Sequence, residues 1–256
     1  MITVIALWSI PVAALSTTNE QAQALMGKVF TQSLWRDFQG SITLTLTHPQ
    51  GRQKIRQIHV QSKRNNVNES RMLMRFLSPA DVLGTGLLVI EHENAEDDRR
   101  LYLPSLRRIQ RISAAGAGGN FMASDFTYYD LGRPKLSDWH YRYGDQSHRD
   151  NCTIIVGTAA NDVVRRNTGY TQVHWCVDTS RYVVVEADYY DNSGEAFKRF
   201  TAEKVEKIDG LYFVTHVRMQ DLHTNHQSEM IFADLKTNQG IGDSAFTERY
   251  LRQWRR

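Results

Sequence analysis

Apolar and polar residues change their spacing once along the chain, from a helical period to a period of two. Residues 19–37 carry a helical set of apolar side chains, namely Ala22, Leu25, Met26, Val29 and Phe30. From Ser41 onward apolar residues alternate with polar ones, as in the run ITLTLT, and short turns with Gly, Asn, Asp or Ser separate the runs. The pattern predicts one N-terminal helix followed by antiparallel strands.

Residues 71–92, RMLMRFLSPADVLGTGLLVIEH, predict two strands joined by a turn, with apolar side chains sharing one face of the sheet. The side chains placed on that face are Met72, Met74, Phe76, Leu88 and Ile90. The next run puts Leu101 and Leu103 on one side. Later strands are predicted at 139–143, 151–158, 170–177, 181–190, 196–206, 211–220 and 226–235, so that the chain is mainly β with about eleven strands.

Residues 114–138 form an insert that is too long for a hairpin turn. Within it Ser124 is a suitable N-cap and Gly132 a suitable end, which predicts a short helix between them. Long inserts in compact domains often act as lids. We therefore expect a lid with one short helix.

The composition is that of an ordinary globular domain. The chain has 256 residues, of which 41% are hydrophobic and 23% charged, which suits one domain with a full core. The net charge of +3 is mild and the arginines are scattered along the chain. Nucleic acid is not expected as a partner.

The N-terminus has the apolar character of a signal peptide. Residues 1–16 contain an apolar run with small residues near Ala13, Ala14 and Ser16, although no Lys or Arg precedes the run. We expect export, with residues 17–256 as a single domain. A buried N-terminal strand is the alternative.

Two cysteines, Cys152 and Cys176, lie in neighbouring strand-like runs at positions that a symmetric hairpin would place opposite each other. A cross-strand disulfide fits this arrangement in an oxidising compartment, and two buried thiols are the alternative.

Motifs that carry chemistry are few. The AGAGG run at 115–119 lacks the Gly-Lys-Ser/Thr ending of a phosphate loop. His223, His226 and Glu229 have a helical spacing but lie in predicted strands and a turn, so surface polar residues are the better interpretation. We expect no catalytic residue, no metal and no cofactor. Several arginines could meet anionic head groups or an acidic partner, with cross-strand ion pairs as the default, and these are Arg99, Arg100, Arg107, Arg108 and Arg111.

The apolar surface expected on the inner face is larger than one helix of this length fills. A bent antiparallel sheet curls around its apolar face, and an unfilled concavity suits a lipid. The residues expected to bind acyl chains are Met72, Met74, Phe76, Leu88, Ile90, Leu101, Leu103, Phe121, Met122, Phe126, Val183, Val185, Phe213, Met230 and Phe232. The alternative is that these side chains only pack against the helix and the insert.

Several segments also carry a family resemblance. In order, MLMRFLSPADVLGTGLLVIEH, LYLPSLRRIQRIS, FMASDFTYYDL, YYDNSGEAFK and FTERYLRQW resemble the outer-membrane lipoprotein-sorting protein family, relatives of the periplasmic LolA/LolB carriers. The resemblance covers residues 20–254. It implies an incomplete antiparallel β-barrel wrapped around an N-terminal helix and a short lid helix, a cavity for acyl chains, and the periplasm of a Gram-negative bacterium. Members of this branch resemble partners of inner-membrane exporters of the resistance-nodulation-division superfamily.

These observations together predict a noncatalytic periplasmic carrier or chaperone. It would bind the acyl chains of a lipid or lipoprotein and pass them between membrane components. Two alternatives remain. One is a noncatalytic adaptor subunit of a resistance-nodulation-division exporter, which would dock through the face that carries Arg107 and Arg108. The other is a small-molecule enzyme, which rests only on scattered His and Asp residues.

Overall fold

The computed structural model describes residues 12–32, 35–65, 69–92, 95–149 and 152–253, excepting the side chains of residues 12–17, 32 and 146–149. Three α-helices are described, α1 (Val12–Gln32), α2 (Asp162–Thr168) and α3 (Glu248–Arg252). The strands are β1 (Asp37–Thr47), β2 (Gln53–Arg64), β3 (Ser70–Ser78), β4 (Gly86–Ile90), β5 (Asp98–Leu103), β6 (Arg108–Ile112), β7 (Trp139–Arg149), β8 (Cys152–Ala159), β9 (Gln172–Asp178), β10 (Val183–Tyr190), β11 (Ala196–Ile208), β12 (Leu211–Asp221) and β13 (Gln227–Thr237).

The strands form one antiparallel sheet in the order β6-β5-β4-β3-β2-β1-β13-β12-β11-β10-β9-β8-β7. Strands that follow each other in sequence are neighbours, except that β1 pairs with β13, while β6 and β7 lie at opposite edges. The segment between β6 and β7, residues 113–138, therefore crosses from one edge of the sheet to the other, and we call it the strap. The predicted mainly β, incomplete barrel is confirmed, with 13 strands in the described residues instead of about eleven.

Two apolar clusters cover the inner face of this sheet. Cluster A is built on β1–β5, β12 and β13, and is capped by Phe121 and Phe126 of the strap. Cluster B is built on β7–β10 and is capped by α1, whose Ala22 and Met26 are fully buried. We call the two parts of the inner face the strap half and the helix half.

A third apolar cluster lies on the outer face. Leu73 and Leu88 are buried there beneath Phe246 and Leu251 of the C-terminal segment. Arg75, which is also buried, donates from its guanidinium to the carbonyl of Leu251 at 3.1 Å. Strands β3 and β4 are thus covered on both faces, which accounts for the apolar residues at successive positions in each.

The N-terminal helix forms where the apolar spacing predicts it, with shifted ends. It runs from Val12 to Gln32, and β1 begins at Asp37 within the predicted helical range. The predicted signal peptide, residues 1–16, falls on residues 1–11, which lie outside the described residues, and on the start of α1. Among the helices that the structure describes, none has both the length and the apolarity needed to cross a membrane.

The short helix predicted between Ser124 and Gly132 is wrong. The strap contains single 3₁₀ turns, such as Phe121–Ala123, and the Ser124 hydroxyl donates to the carbonyl of Phe121 at 2.7 Å. Further on, the carboxylate of Asp130 accepts from the backbone N–H of Thr127 at 2.8 Å. Such local side-chain bonds compete with helical hydrogen bonding. Conversely, the sequence analysis missed α2.

Candidate functional site

A cavity of about 400 Å³ lies on the inner face between the strap, the C-terminal end of α1 and the sheet. Its volume lies in the range of ligand pockets, about 300–1,000 Å³. The apolar part of its wall consists of Phe30, Trp35, Phe38, Val60, Met72, Met74, Phe126, Leu131, Phe200, Phe213, Val214, Val217, Met230 and Phe232.

Strand alternation places the apolar wall residues. Met72 and Met74 are two residues apart on β3, as are Met230 and Phe232 on β13, so each pair faces the same side. The ring of Phe213 on β12 lies 5.3 Å from that of Phe232, edge to face. The wall therefore combines flexible methionines with a fixed group of aromatic rings.

The structure brings six of the predicted lipid-binding residues together in the cavity wall, namely Met72, Met74, Phe126, Phe213, Met230 and Phe232. Five others pack in or against cluster A behind that wall, namely Phe76, Leu101, Leu103, Phe121 and Met122. These five support the shape of the cavity from the side of the core.

The placement of Leu88 and Ile90 on the inner face is wrong. Leu88 is fully buried in the outer cluster, and Ile90 packs against it. Their neighbours Leu87 and Val89 belong to cluster A. Every residue of β4 after Gly86 is apolar, so alternation alone does not show which parity faces inward.

The structure also places Val183 and Val185 away from the cavity wall. On β10 the pairing shifts, with Val184 opposite Val177 and Glu186 opposite Cys176, which leaves Val185 in a bulge. Val184 is the residue that packs against cluster B. In the described part of the chain, Val183 and Val185 are outside the apolar clusters and the cavity wall.

Charged side chains also belong to the cavity wall, and the sequence analysis missed them. Arg64, Glu91 and Arg133 line the cavity. The Glu91 carboxylate accepts from the hydroxyl of Ser70 and from the backbone N–H of Arg133 at 2.5 Å. Burial lowers the pKa of the Arg64 guanidinium from its ordinary value, and the positive charge of Arg133 lowers it further.

A buried polar group holds the strap to the sheet near the boundary of the two halves. The Lys198 ammonium on β11 lies 3.1 Å from Oδ2 of Asp130 in the strap and donates to the Tyr170 hydroxyl at 2.6 Å. Burial raises the pKa of Tyr170 well above its ordinary value. Its hydroxyl therefore stays protonated and donates to Asp130 at 2.8 Å.

A second polar group holds the strap to β13. Nδ1 of His226 lies 2.7 Å from the Asp125 carboxylate, and the Ser228 hydroxyl donates to the same carboxylate at 2.6 Å. The carboxylate lies between the imidazole and the hydroxyl, whereas in a catalytic triad the imidazole lies between the carboxylate and the serine. His226 therefore cannot act as the base for Ser228, and these three residues serve as an anchor for the strap. His223 is exposed in the preceding turn.

The five arginines named in the sequence analysis lie in two different kinds of surroundings. Arg99 is buried and its guanidinium lies 2.8 Å from Asp97, while that of Arg100 lies 2.7 Å from Asp98. Arg107, Arg108 and Arg111 are exposed at β6, an edge strand. Charged residues on an edge strand oppose unwanted pairing with other chains.

Cys152 on β8 and Cys176 on β9 form a disulfide, with their Cα atoms 5.4 Å apart. The two strands pair Thr153 with Val177 and Ile154 with Cys176. The cysteines are therefore diagonal neighbours, not directly opposite as the predicted hairpin had them.

Comparison with known proteins gives a family and a fold. A family model described as "-like: Uncharacterized protein" matches residues 68–253, and no curated protein matches the sequence. Similar structures include an outer membrane lipoprotein-sorting protein domain from Vibrio parahaemolyticus, with a TM-score of 0.84 and 23% identity over 92% of this chain and 100% of that one. A DUF1329 family protein from Desulfovibrio piger has a TM-score of 0.84 and 23% identity over 91% and 99%. A LolA superfamily protein from Nitrosomonas europaea has a TM-score of 0.70 and 22% identity over 90% and 98%.

At these identities the structural likeness concerns the fold, which is that of the resembled lipoprotein-sorting proteins and of the LolA superfamily. The family model extends from the end of the β2–β3 connection to α3, which is well over half of the sequence. The chain therefore belongs to the family that this model describes, and its fold confirms the resemblance to the outer-membrane lipoprotein-sorting proteins.

Proposed function

We propose that this protein is a noncatalytic periplasmic carrier that binds the acyl chains of a lipid or lipoprotein in the cavity beneath the strap. The observation that carries this proposal is the largely apolar cavity of about 400 Å³, which the side chains of the described residues leave open. An acyl chain placed there would gain about 25 cal/mol for each Å² of apolar surface removed from water. Methionine side chains adapt to such irregular guests because they are unbranched and flexible.

Two further observations support the proposal. The fold is shared with a protein assigned to outer membrane lipoprotein sorting. The disulfide between Cys152 and Cys176 suits an oxidising compartment such as the periplasm. Release of cargo to an acceptor would require the strap to shift, and its polar anchors at Asp125 and Asp130 are the contacts that would open.

A charge placed in the wall tests the proposal. Phe232→Asp puts a carboxylate into the cavity, whereas Ile231→Asp, one residue earlier on β13, puts the same group on an exposed position. We expect delipidated wild type and Ile231→Asp to bind a fluorescent fatty acid equally well. Phe232→Asp should weaken binding at least tenfold, because burying a carboxylate beside an acyl chain is costly.

Native mass spectrometry of protein purified from the periplasm gives a second readout. Bound lipid should be present in wild type and Ile231→Asp and lost from Phe232→Asp. Wild-type protein that carries no lipid and takes up no fatty acid would refute the carrier function. Equal binding by both variants would place the lipid elsewhere on the molecule.

The alternative role, a noncatalytic adaptor on a resistance-nodulation-division exporter, would use the β6 edge of the sheet. Leu106 is 55% exposed next to Arg107 and Arg108 at the β6 edge. Capture of such an exporter that is lost in Arg107→Ala/Arg108→Ala and retained in Phe232→Asp would support docking through this edge. Capture that is unchanged in the arginine variant would rule that surface out.

A further inference from the structure

A second cavity, of about 380 Å³, lies between α1 and residues 133–137 of the strap, and we call it the side cavity. Phe30, Glu91 and Arg133 line both this cavity and the one beneath the strap. The two cavities are therefore adjacent, with these three side chains at their boundary. A guest held beneath the strap has a second space directly next to it.

One face of α1 forms the helical wall of the side cavity. Gln23, Gly27 and Thr31 are four residues apart, which places them in a row along that face. Gly27 leaves room in the middle of the row, since a Cβ atom at this position would lie 3.6 Å from Cδ2 of Leu136 in the strap. A larger side chain there would occupy the space between helix and strap. Gln23 and Thr31 are exposed, so the side cavity opens to solvent.

The charged side chains of the side cavity are already engaged within the chain. Nζ of Lys135 lies 3.0 Å from the carboxylate of Asp97. The Glu91 carboxylate accepts from the backbone N–H of Arg133 at 2.5 Å, and the Arg133 side chain also has an interaction partner. The wall therefore does not select a guest by an unpaired charge.

Neutral polar side chains remain available on the two sides of the side cavity. Gln23 on α1 and Ser137 on the strap both line it, and neither side chain has a hydrogen-bond partner among the described residues. The amide of Gln23 and the hydroxyl of Ser137 can each donate and accept. A few such polar groups in a pocket fix the orientation of a ligand. They suit an uncharged group that itself carries donors and acceptors.

We propose that the side cavity binds an uncharged polar headgroup, a polyol or an amide, of the guest whose acyl chain lies beneath the strap. This inference rests on the proposed carrier function and names the chemistry at the other end of its ligand. The guest passes Phe30 at the boundary, and its headgroup lies between α1 and the strap. A lipid with a sugar or glycerol headgroup supplies this chemistry, and so does the peptide next to the acylated residue of a lipoprotein.

Three probes with the same ten-carbon chain separate the headgroup from the chain. They are 1-decanol, decyl β-D-glucoside and N-decanoylglycinamide, each titrated calorimetrically into the delipidated full chain. Gly27→Leu fills the side cavity. The matched control, Ala24→Leu, adds a leucine at an exposed position about one turn earlier on α1, outside both cavity walls. Leucine is a good helix former, so both variants keep the helix.

A second pair of variants removes the polar groups without filling the space. Gln23→Ala/Ser137→Ala deletes the amide and the hydroxyl that line the side cavity. Its control, Gln21→Ala/Ser113→Ala, deletes the same groups outside both cavity walls. All four positions are exposed, so these substitutions leave the fold intact.

We expect Gly27→Leu to weaken binding of the glucoside and the glycinamide at least about tenfold, because the added side chain clashes with the headgroup. Binding of 1-decanol should change less than about twofold, since the alcohol fits beneath the strap. Gln23→Ala/Ser137→Ala should weaken the two headgroup probes about five- to tenfold, the loss of one or two neutral hydrogen bonds. Both controls should bind all three probes like wild type. A larger loss for the glucoside identifies a lipid polyol as the headgroup, and a larger loss for the glycinamide identifies a lipoprotein peptide.

Other outcomes overturn the inference. Equal weakening of all three probes in Gly27→Leu would show that the side cavity only supports the shape of the first one. A loss in Gly27→Leu with none in Gln23→Ala/Ser137→Ala would refute the hydrogen-bonding chemistry. Unchanged binding in both test variants would show that the headgroup lies elsewhere, while the carrier function would stand. A wild type that binds none of the probes would refute the carrier function as well.

Discussion

The two halves of the inner face differ in how completely they are covered. In the helix half, α1 packs onto interlocking rings, and Trp139 and Trp175 lie edge to face with centroids 5.5 Å apart. In the strap half, the same sheet is covered by isolated turns, whose Phe121 and Phe126 fill part of the space and leave the cavity. A helix presents a continuous apolar stripe, whereas a strap presents single side chains. The cavity therefore exists because the strap covers the sheet less completely than α1 does, and not because the sheet itself differs between the two halves.

The first prediction compares a residue from each half. Trp175→Ala should lower the free energy of unfolding by about 3–5 kcal/mol, because it opens a void among packed rings. Met72→Ala, in a wall that already borders empty space, should lower it by less than about 1.5 kcal/mol. Denaturant titration of both variants measures the two changes in the free energy of unfolding. Equal losses would mean that the strap half is as tightly packed as the helix half.

The second prediction concerns the polar anchor of the strap. Lys198→Met leaves the Asp130 carboxylate buried without its cation, at a cost of about 3 kcal/mol, the lower end for a broken buried pair because Tyr170 and Thr127 still donate. Adding Asp130→Asn should recover part of the loss. Hydrogen exchange should quicken in strap amides and stay unchanged in α1. Faster exchange in α1 as well would contradict the view that the strap and α1 cover the two halves independently.

The third and smallest prediction concerns the disulfide in the helix half. Cys152→Ala/Cys176→Ala should lower the free energy of unfolding by about 2–3 kcal/mol, since the bridge closes a loop with a sequence separation of 24. Fatty-acid binding in the strap half should be unchanged. A variant that keeps its stability but loses binding would show that the two halves are coupled.

The sequence predicts the inner face correctly where alternation is strict. On β13, Met230 and Phe232 alternate with charged or exposed residues, so their direction is unambiguous. On β4 every residue after Gly86 is apolar, because Phe246 and Leu251 from the far end of the chain cover the outer face. Such a long-range cover leaves no local signal, which is why Leu88 was assigned to the wrong face.

The strap and its charges show a second limit of sequence reasoning. Ser124 and Gly132 have the character of helix ends, but Asp125 and Asp130 are held by His226 and Lys198 from distant strands. Likewise, nothing in the local patterns around Arg64 or Arg133 indicates that both line the same cavity. Tertiary contacts decide both cases, and local propensity is then only a weak guide.

The central claim is that a guest enters the cavity beneath the strap, where of α1 only Phe30 reaches the wall, and leaves the buried interior of cluster B unchanged. The methionines report on this directly. In protein labelled with ¹³C at the methionine methyl groups, addition of laurate should shift the signals of Met72, Met74 and Met230, which line the cavity. The signal of Met26, which is fully buried on the sheet-facing side of α1, should not move. Shifts at Met26 with none at the three wall methionines would contradict the claim.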